Sequence, residues 1–182
     1  FLILLAVPML SIRLGFGDAG NAPKTADVRK AYDMLSEGFG PGFNGPLYIV
    51  ITGDTVQEPE KMKSFLTVIN KTPGVAYAGA APLKSDEVAL VVAYPTSAPQ
   101  DEATSDLVHA LRGTVIPSSG VAAQVTGFTA ASVDFSDYLG KRLPFLIGIV
   151  LLLSFLLLMA VFRSVLVPIK AVLMNLLSVG AA

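Results

Sequence analysis

The feature that most constrains the fold of this chain is a run of twenty residues without a charged side chain, from Leu143 to Phe162. At about 1.5 Å per residue, an α-helix of that length spans roughly 30 Å, the thickness of the hydrocarbon core of a bilayer. Eight of the twenty residues are leucine, which is not typical of a helix buried in a globular core. We therefore interpret residues 143–162 as a transmembrane helix.

Charged residues are concentrated in the middle of the chain. Only 15% of the residues are charged and 53% are hydrophobic, and all 14 acidic residues lie between Asp18 and Asp137. The apolar ends, Phe1–Ile12 and Ala171–Ala182, are expected to be parts of two further membrane spans in a longer polypeptide. A signal peptide is the weaker interpretation of the first segment, because no basic residue precedes it.

The composition also excludes several classes of partner and cofactor. A net charge of -1 without a basic patch argues against nucleic acid. The absence of cysteine excludes disulfides, iron–sulfur clusters and thiolate zinc sites, and a single histidine makes a histidine-built metal site unexpected. We therefore predict no cofactor and no metal.

Hydrophobic periodicity in the middle of the chain predicts the element order β-α-β-β-α-β. The predicted strands are Leu47–Thr52, Val75–Ala80, Glu87–Tyr94 and Val121–Thr126, and the predicted helices lie at Met62–Ile69 and Ala103–Val115. This order is typical of the α+β ferredoxin-like (split βαβ) fold, in which two helices cover one face of a four-stranded antiparallel sheet. The other face has to be polar or to meet a partner, so a second domain is expected there.

An amphipathic helix and a glycine-rich connector precede the first strand. The spacing of apolar residues predicts a helix over Thr25–Glu37, with Thr25 as its N-cap and Gly38 just past its end. The next residues contain a literal GxGxxG from Gly40 to Gly45. Because this motif follows a helix and precedes a strand, the reverse of a dinucleotide-binding loop, we interpret it as a structural turn or hinge.

A helix is predicted to lead from the sheet into the membrane. The predicted helix covers Phe128–Gly140, with no helix breaker between Ala130 and Leu139, and Pro144 falls in the first membrane turn. A continuous helix would couple movement of the domain to the span. Charge counting leaves the orientation open, since Lys141 and Arg142 precede the span and Arg163 and Lys170 follow it.

Residues that could carry chemistry do not form a catalytic pattern. His109 shares a helical face with acidic residues and is expected to be a solvated surface histidine. Asp101 and Glu102 begin a helix and are expected to act as a cap rather than as paired carboxylates. Ser36, Ser64 and Ser105 lack a nucleophile motif, and Asn175 and Ser178 are expected to pack helices rather than to line a polar pathway. We predict no catalytic, cofactor-binding or metal-binding residues.

Short stretches spread over nearly the whole chain form a specific combination. They are Asp18–Asn21 with Thr25, Ala31–Asp33, Gly38–Leu47, Thr126–Gly127, Arg142–Pro144, Phe162–Lys170 and Asn175–Ser178. Together they resemble the MMPL branch of the RND transporter superfamily, especially its actinobacterial members.

The resemblance implies a multi-pass exporter of the inner cell membrane, made of two similar halves that each carry an extracytoplasmic porter domain. This chain is similar to the opening of the second half. Family members couple proton entry to export of lipids or other hydrophobic compounds through Asp–Tyr pairs within central membrane helices. Asp137–Tyr138 lies at the junction of domain and span, so no relay role is carried over to it, and the relay pairs are expected beyond Ala182 and in the first half.

The resemblance also implies partners and a domain organisation. The partners are the remainder of the same polypeptide, including a second porter domain, membrane lipid, and a lipid or hydrophobic substrate; homo-oligomer formation stays open. The predicted organisation is a truncated span at 1–12, a helix and connector at 13–46, the porter domain at 47–127, a linking helix at 128–142, a span at 143–162, a cytoplasmic elbow at 163–170 and a truncated span at 171–182.

Two other functions remain as alternatives. One is a non-transporting assembly or protein-translocation accessory of the same superfamily, whose domain binds a partner protein. The other is a membrane-anchored enzyme on a ferredoxin-like scaffold. Acidic residues in the neighbouring spans would distinguish a transporter from the accessory protein, because a proton relay requires them.

Overall fold

The computed structural model describes residues 16–82, 85 and 87–181, and for residues 176 and 178–181 it describes the backbone only. Two compact units divide the chain, one of residues 15–135 and one that contains residues 136–182. The predicted span Phe1–Ile12 lies outside the described residues.

The first unit is an α+β domain. Its elements in chain order are helix α1 (Asp27–Phe39), strand β1 (Leu47–Thr52), helix α2 (Pro59–Asn70), strands β2 (Val75–Ala81) and β3 (Val88–Pro95), helix α3 (Glu102–Ala110), a π-helical segment (Leu111–Val115), helix α4 (Ile116–Ser119) and strand β4 (Ala123–Thr126). Short 3₁₀ turns cover Ala19–Asn21, Pro41–Asn44 and Asp54–Val56. The order of the major elements between residues 47 and 126 is the predicted one.

All four strands form a single antiparallel sheet in the order β2-β3-β1-β4. Ile49 of β1 pairs with Val91 of β3 on one side and with Val125 of β4 on the other. The edge strand β2 is also attached to α2, because the Asn70 side chain bonds both the N–H and the carbonyl of Ala78 at 2.9 Å. Because β1 lies between β3 and β4, it is a central strand, as its continuous apolar sequence indicates.

One face of the sheet carries the core. Alternate residues of β1 are completely buried, namely Leu47, Ile49 and Ile51, because successive side chains of a strand point to opposite faces. The helices contribute the other half of the core with Phe65, Ile69, Leu107, Val108 and Leu111. The opposite face of the sheet is not covered by these helices.

Helix α1 begins and ends two residues later than predicted. Ala26 occupies the N-cap without a side-chain hydrogen bond, so the prediction of Thr25 as N-cap was wrong. Gly38 lies inside the helix, which ends at Gly40 with φ of 95°. A positive φ is accessible to glycine without steric cost. Because positions 38 and 40 are both glycine, the sequence pattern did not distinguish them, and the helix end was predicted at Gly38 instead of Gly40.

The helix predicted over Ala103–Val115 is longer than expected and irregular. It starts at Glu102 and continues through the π-helical segment and α4 to Ser119. Pro117 has no N–H to donate to the residue four positions earlier, and the preceding turn is wider, with the Ile116 N–H bonded to Leu111 five residues back. The helix ends at Gly120, whose backbone is left-handed.

The second unit is helical in its described part. Helix α5 runs without interruption from Phe128 to Phe162, including Pro144, and is the helix that is long and apolar enough to cross a membrane within the described residues. Helix α6 (Leu166–Ala181) follows after Arg163–Val165. The non-helical connection is thus shorter than the predicted elbow at 163–170, because Pro168 sits in the first turn of α6, where its missing N–H is tolerated.

Adjacent residues of α2 allow a test of the core. We expect Ile69→Ala to lower the free energy of unfolding by about 2–5 kcal/mol, because the Ile69 side chain is completely buried. Val68→Ala is the matched control, since Val68 is exposed, and its effect should stay within about 0.5 kcal/mol. Thermal unfolding of the two purified variants measures the difference, and equal destabilisation would contradict the placement of the core.

Candidate functional site

The beginning of α5 is part of the core of the sheet domain. Thr129, Ala130 and Val133 are buried, and the last two belong to the same apolar cluster as the strands. Val133 lies three residues after Ala130 and four after Thr129, so all three side chains lie toward one side of the helix. The helix that enters the apolar run is therefore held at its first two turns by the folding of the domain itself.

Phe16 holds α5 on another side. Its ring stacks on Phe135 at a centroid distance of 4.5 Å and lies 6.3 Å from Phe128. The Phe16 N–H donates a 3.4 Å hydrogen bond to the Ser132 hydroxyl. Three residues on successive turns of α5 are therefore contacted by one residue of the segment that leads to α1.

Arg112 contacts α5 from the π-helical segment. Its guanidinium pairs with both carboxylate oxygens of Asp134, one of them at 3.0 Å, and donates a 2.8 Å hydrogen bond to the carbonyl of Val125 on β4. A planar guanidinium that makes two bonds to one carboxylate fixes direction as well as distance. This side chain therefore joins three elements of the domain.

The glycine-rich connector packs against the same helix. A Cβ on Gly45 would lie 2.6 Å from the hydroxyl oxygen of Thr129, and a Cβ on Gly42 would overlap with the carbonyl of Pro95. Neither glycine has a positive φ, which occurs at Gly40 instead. Close approach therefore explains these two glycines, which lie in and just after the 3₁₀ turn Pro41–Asn44.

Residues that carry the family resemblance meet at the joint between α1 and the connector. The Asn44 side chain donates to the Tyr32 carbonyl at 3.1 Å and to the Ser36 hydroxyl at 2.8 Å. Arg29 donates to the Gly20 carbonyl. Burial and the neighbouring carboxylate of Asp18 raise the pKa of the Tyr32 phenol. These contacts join α1 to the turn before it and to the connector after it.

Two apolar surfaces of the domain are exposed. Along α1, Val28, Leu35 and Phe39 lie on one side of the helix and are exposed. On the open face of the sheet, Tyr48 and Tyr77 are exposed. A stack of three rings, Phe39, Phe43 and Tyr94, connects α1 to the sheet, with centroid distances of 4.6 and 5.0 Å. Exposed apolar area of this kind is typical of a surface that meets a partner.

The residues considered for chemistry lie on several elements of the domain. His109 is exposed on α3. Asp101 occupies the N-cap of α3, but its carboxylate accepts from the Ala98 N–H rather than from the helix. Ser36 bonds Asn44, and Ser64 lines an open groove of about 620 Å³ at one end of β1. Within the described residues, no group of three or more His, Asp or Glu side chains is arranged to hold a metal.

The residues at the junction with the apolar run also have structural contacts. Arg142 lies over the Tyr138 ring at 5.5 Å from its centroid, a cation–π arrangement. Asn175 is exposed on α6, and the side chain of Ser178 is outside the described residues.

Sequence reasoning missed the contacts of Arg112 and Phe16 with α5. Both join positions more than twenty residues apart, so no local periodicity predicts them. One signal was present, because Arg112 is the one lysine or arginine between Lys84 and Lys141. An isolated cation in a folded domain is a candidate for a specific ion pair.

The fold and the anchored helix define an α+β domain of a membrane protein. The sequence model of the MMPL family matches residues 23–182, and the chain belongs to this family. It is 38% identical to membrane protein YdfJ of Bacillus subtilis, over 94% of this chain and 24% of the relative.

Two mycobacterial relatives are each 29% identical over all of this chain and 20% of their own length. They are the mycolic acid-containing lipids exporter MmpL11 of Mycolicibacterium smegmatis and the heme uptake protein MmpL11 of Mycobacterium tuberculosis. The chain thus spans about a fifth to a quarter of the curated relatives it matches.

The close approach at Gly45 gives a direct test of this site. We expect Gly45→Ala to destabilise the protein by about 1–3 kcal/mol, because the new methyl group meets Thr129 and Pro99. Gly45→Val should cost more and impair folding. Thermal unfolding of the purified variants is the measurement.

Gly38→Ala is the matched control. Nothing lies within 4 Å of a Cβ at Gly38, which is inside α1, so the substitution should be neutral or stabilise by up to about 1 kcal/mol. Wild-type stability of Gly45→Ala and Gly45→Val would show that α5 is not packed against the connector.

Proposed function

We propose that this chain is part of a proton-driven membrane exporter of lipids or other hydrophobic compounds, and that it is not an enzyme. The observation that carries the proposal is the structure of α5, whose first turns belong to the core of the α+β domain and whose later turns form the apolar run. Membership of the MMPL family supports it.

We assign the α+β domain to the ferredoxin-like class and to the role of a porter domain. β1 and β2 are joined through α2 and have β3 between them, while β3 and β4 are joined through α3 and have β1 between them. Two interleaved β-α-β units of this kind are the mark of the split βαβ arrangement.

In the proposed topology the domain lies outside the cytoplasm of a multi-pass inner-membrane protein. Residues 1–12, 143–162 and 171–182 belong to three spans, and the segment at 163–170 lies on the cytoplasmic side. The flanking charges are balanced, so this orientation rests on the family resemblance.

The proposed partner of the two exposed surfaces is another part of the same polypeptide, which contains a second porter domain. The curated relatives are about four to five times as long as this chain, so most of the protein is available to cover them. The exposed residues of α1 and the open sheet face are apolar and aromatic, which favours a packed protein interface over a solvated one.

The proposed substrate class is hydrophobic or amphiphilic. One relative is named an exporter of mycolic acid-containing lipids and another a heme uptake protein. Lipid and heme both carry large apolar surfaces, although the two names differ in the direction of transport. Export of a lipid-like compound is the function that we favour for the whole protein.

Proton coupling requires residues outside the first complete span. Leu143–Phe162 contains no ionisable side chain, and a relay within a membrane needs one. The relay pairs are therefore proposed to lie in other helices of the full-length protein. A non-transporting accessory of the same superfamily, with the domain bound to a partner protein, is the second candidate, and relay carboxylates in those helices would argue against it.

The transport proposal is tested in the native host. We expect deletion of the gene to reduce a lipid class in solvent extracts of the cell surface, and the full-length gene to restore it. A protonophore should abolish the restored export. Unchanged surface lipids, together with a protein that copurifies with the full-length chain, would support the accessory function instead.

A helix-breaking substitution tests the role of α5. Ser132→Pro removes a backbone hydrogen bond within the anchored turns and should cost about 3 kcal/mol or more in the helix. We expect membrane insertion to persist and export to be lost. Ser132→Ala, which keeps the helix and removes only the hydroxyl that accepts from Phe16, should retain most export. Undiminished export by Ser132→Pro would contradict coupling through this helix.

A further inference from the structure

We propose that Arg112 is a positioning residue that sets the rotation of α5 about its own axis relative to the sheet. The inference rests on the proposed function, because the orientation of α5 matters for transport only if the helix carries movement between the domain and the membrane.

Arg112 is presented by an irregular part of the backbone. The residue lies in the π-helical segment Leu111–Val115, where the wider turn accompanies Pro117. π-helical turns displace side chains relative to a regular helix and occur frequently at functional sites. Arg112 is therefore presented from an irregular turn whose cause lies in the local sequence.

The Arg112 side chain contacts both α5 and β4. The guanidinium bonds both oxygens of Asp134 on α5 and the backbone carbonyl of Val125 on β4, at 2.8 Å for the latter. The carbonyl belongs to the sheet and cannot rotate independently of it. Because one planar group bonds the sheet and the helix together, the direction in which Asp134 points from α5 is set by the sheet.

The Arg112–Asp134 ion pair is expected to position α5 more than it stabilises the domain. The side chains of Arg112 and Asp134 are 31% and 57% exposed, and ion pairs with that much water contribute little to stability. The buried side chains of Ala130 and Val133 already hold α5 in place. They are small or medium-sized apolar groups without directional bonds, so they fix the contact but constrain the rotation of the helix less than the guanidinium does.

The chain offers a matched control. Arg29 also pairs with an aspartate, Asp33, and also donates to a backbone carbonyl, that of Gly20. These contacts lie within α1 and its preceding turn and do not involve α5. Arg29→Ala removes the same kinds of bond without touching the proposed positioning contact.

The test measures the distance between the sheet domain and a residue of α5 beyond Asp134, which changes when the helix rotates. Nitroxide labels are attached at Lys63→Cys on α2 and Lys141→Cys on α5, both exposed, in the full-length protein without other cysteines. Double electron–electron resonance then gives the distribution of distances between them. We expect Arg112→Ala to broaden the distance distribution to about twice its width. Arg112→Lys should broaden it as well, because lysine cannot bond both oxygens of one carboxylate in a fixed plane.

The midpoint of thermal unfolding should remain that of the wild type in Arg112→Lys, and Arg29→Ala should leave the distance distribution unchanged. A wild-type distribution in both Arg112 variants would overturn the proposal. Equal broadening in Arg29→Ala would also overturn it, since the effect would then follow from general loosening of the domain.

Export measured in the same variants separates this inference from the proposed function. Arg112→Lys should lower the maximal export rate about tenfold while the amount of protein in the membrane is unchanged. If the distances change and the wild-type protein exports nothing, the proposed function fails and the positioning role stands. If the distances change and Arg112→Lys exports at the wild-type rate, the positioning does not serve transport and the inference fails.

Discussion

The structure depends on one packing constraint, which is that the first two turns of α5 complete the core of the sheet domain. Ala130 and Val133 belong to the same apolar cluster as Ile49 and Val91, and Thr129 packs against Gly45. Burial of apolar surface is the main favourable contribution to folding, so the domain cannot reach its full stability unless α5 is helical where it leaves the sheet. The first two turns of α5 and the sheet therefore share one core.

This constraint also accounts for residues that seem unrelated in the sequence. Gly42 and Gly45 leave room for the backbone of Pro95 and the side chain of Thr129, while Phe16 and Arg112 approach α5 from other elements. Two glycines of the motif thus allow close packing. The contacts that hold the first turns of α5 therefore come from several separate segments of the domain.

Local patterns predicted much of the fold. The bounds of β1 were predicted to the residue, because a short apolar run between a Gly/Pro-rich segment and Gly53 has few alternative interpretations. The order of strands and helices followed from periodicity in the same way. The end of α1 was misplaced because glycines at positions 38 and 40 are equivalent in sequence and differ only in backbone conformation.

The contacts of the candidate site could not be predicted from periodicity. Arg112 and Asp134 are 22 residues apart, and Phe16 lies 116 residues from Ser132, so their pairing depends on the complete fold. The π-helical turn that presents Arg112 has a local cause in Pro117, but its consequence, a longer and wider helix, requires the tertiary structure. The signal that sequence reasoning should have used was the isolation of Arg112 among uncharged and acidic residues.

Amide hydrogen exchange across residues 128–142 of the full-length protein in a membrane shows whether α5 is continuous from the sheet to the apolar run. We expect continuous protection beginning at Ala131, whose N–H bonds the Gly127 carbonyl, with amides at 131–135 exchanging as slowly as those of β1. We also expect helical protection through residues 136–142 up to the apolar run. Rapid exchange at 136–142, or at 131–135 while β1 stays protected, would show a break between the domain and the span and would contradict the account.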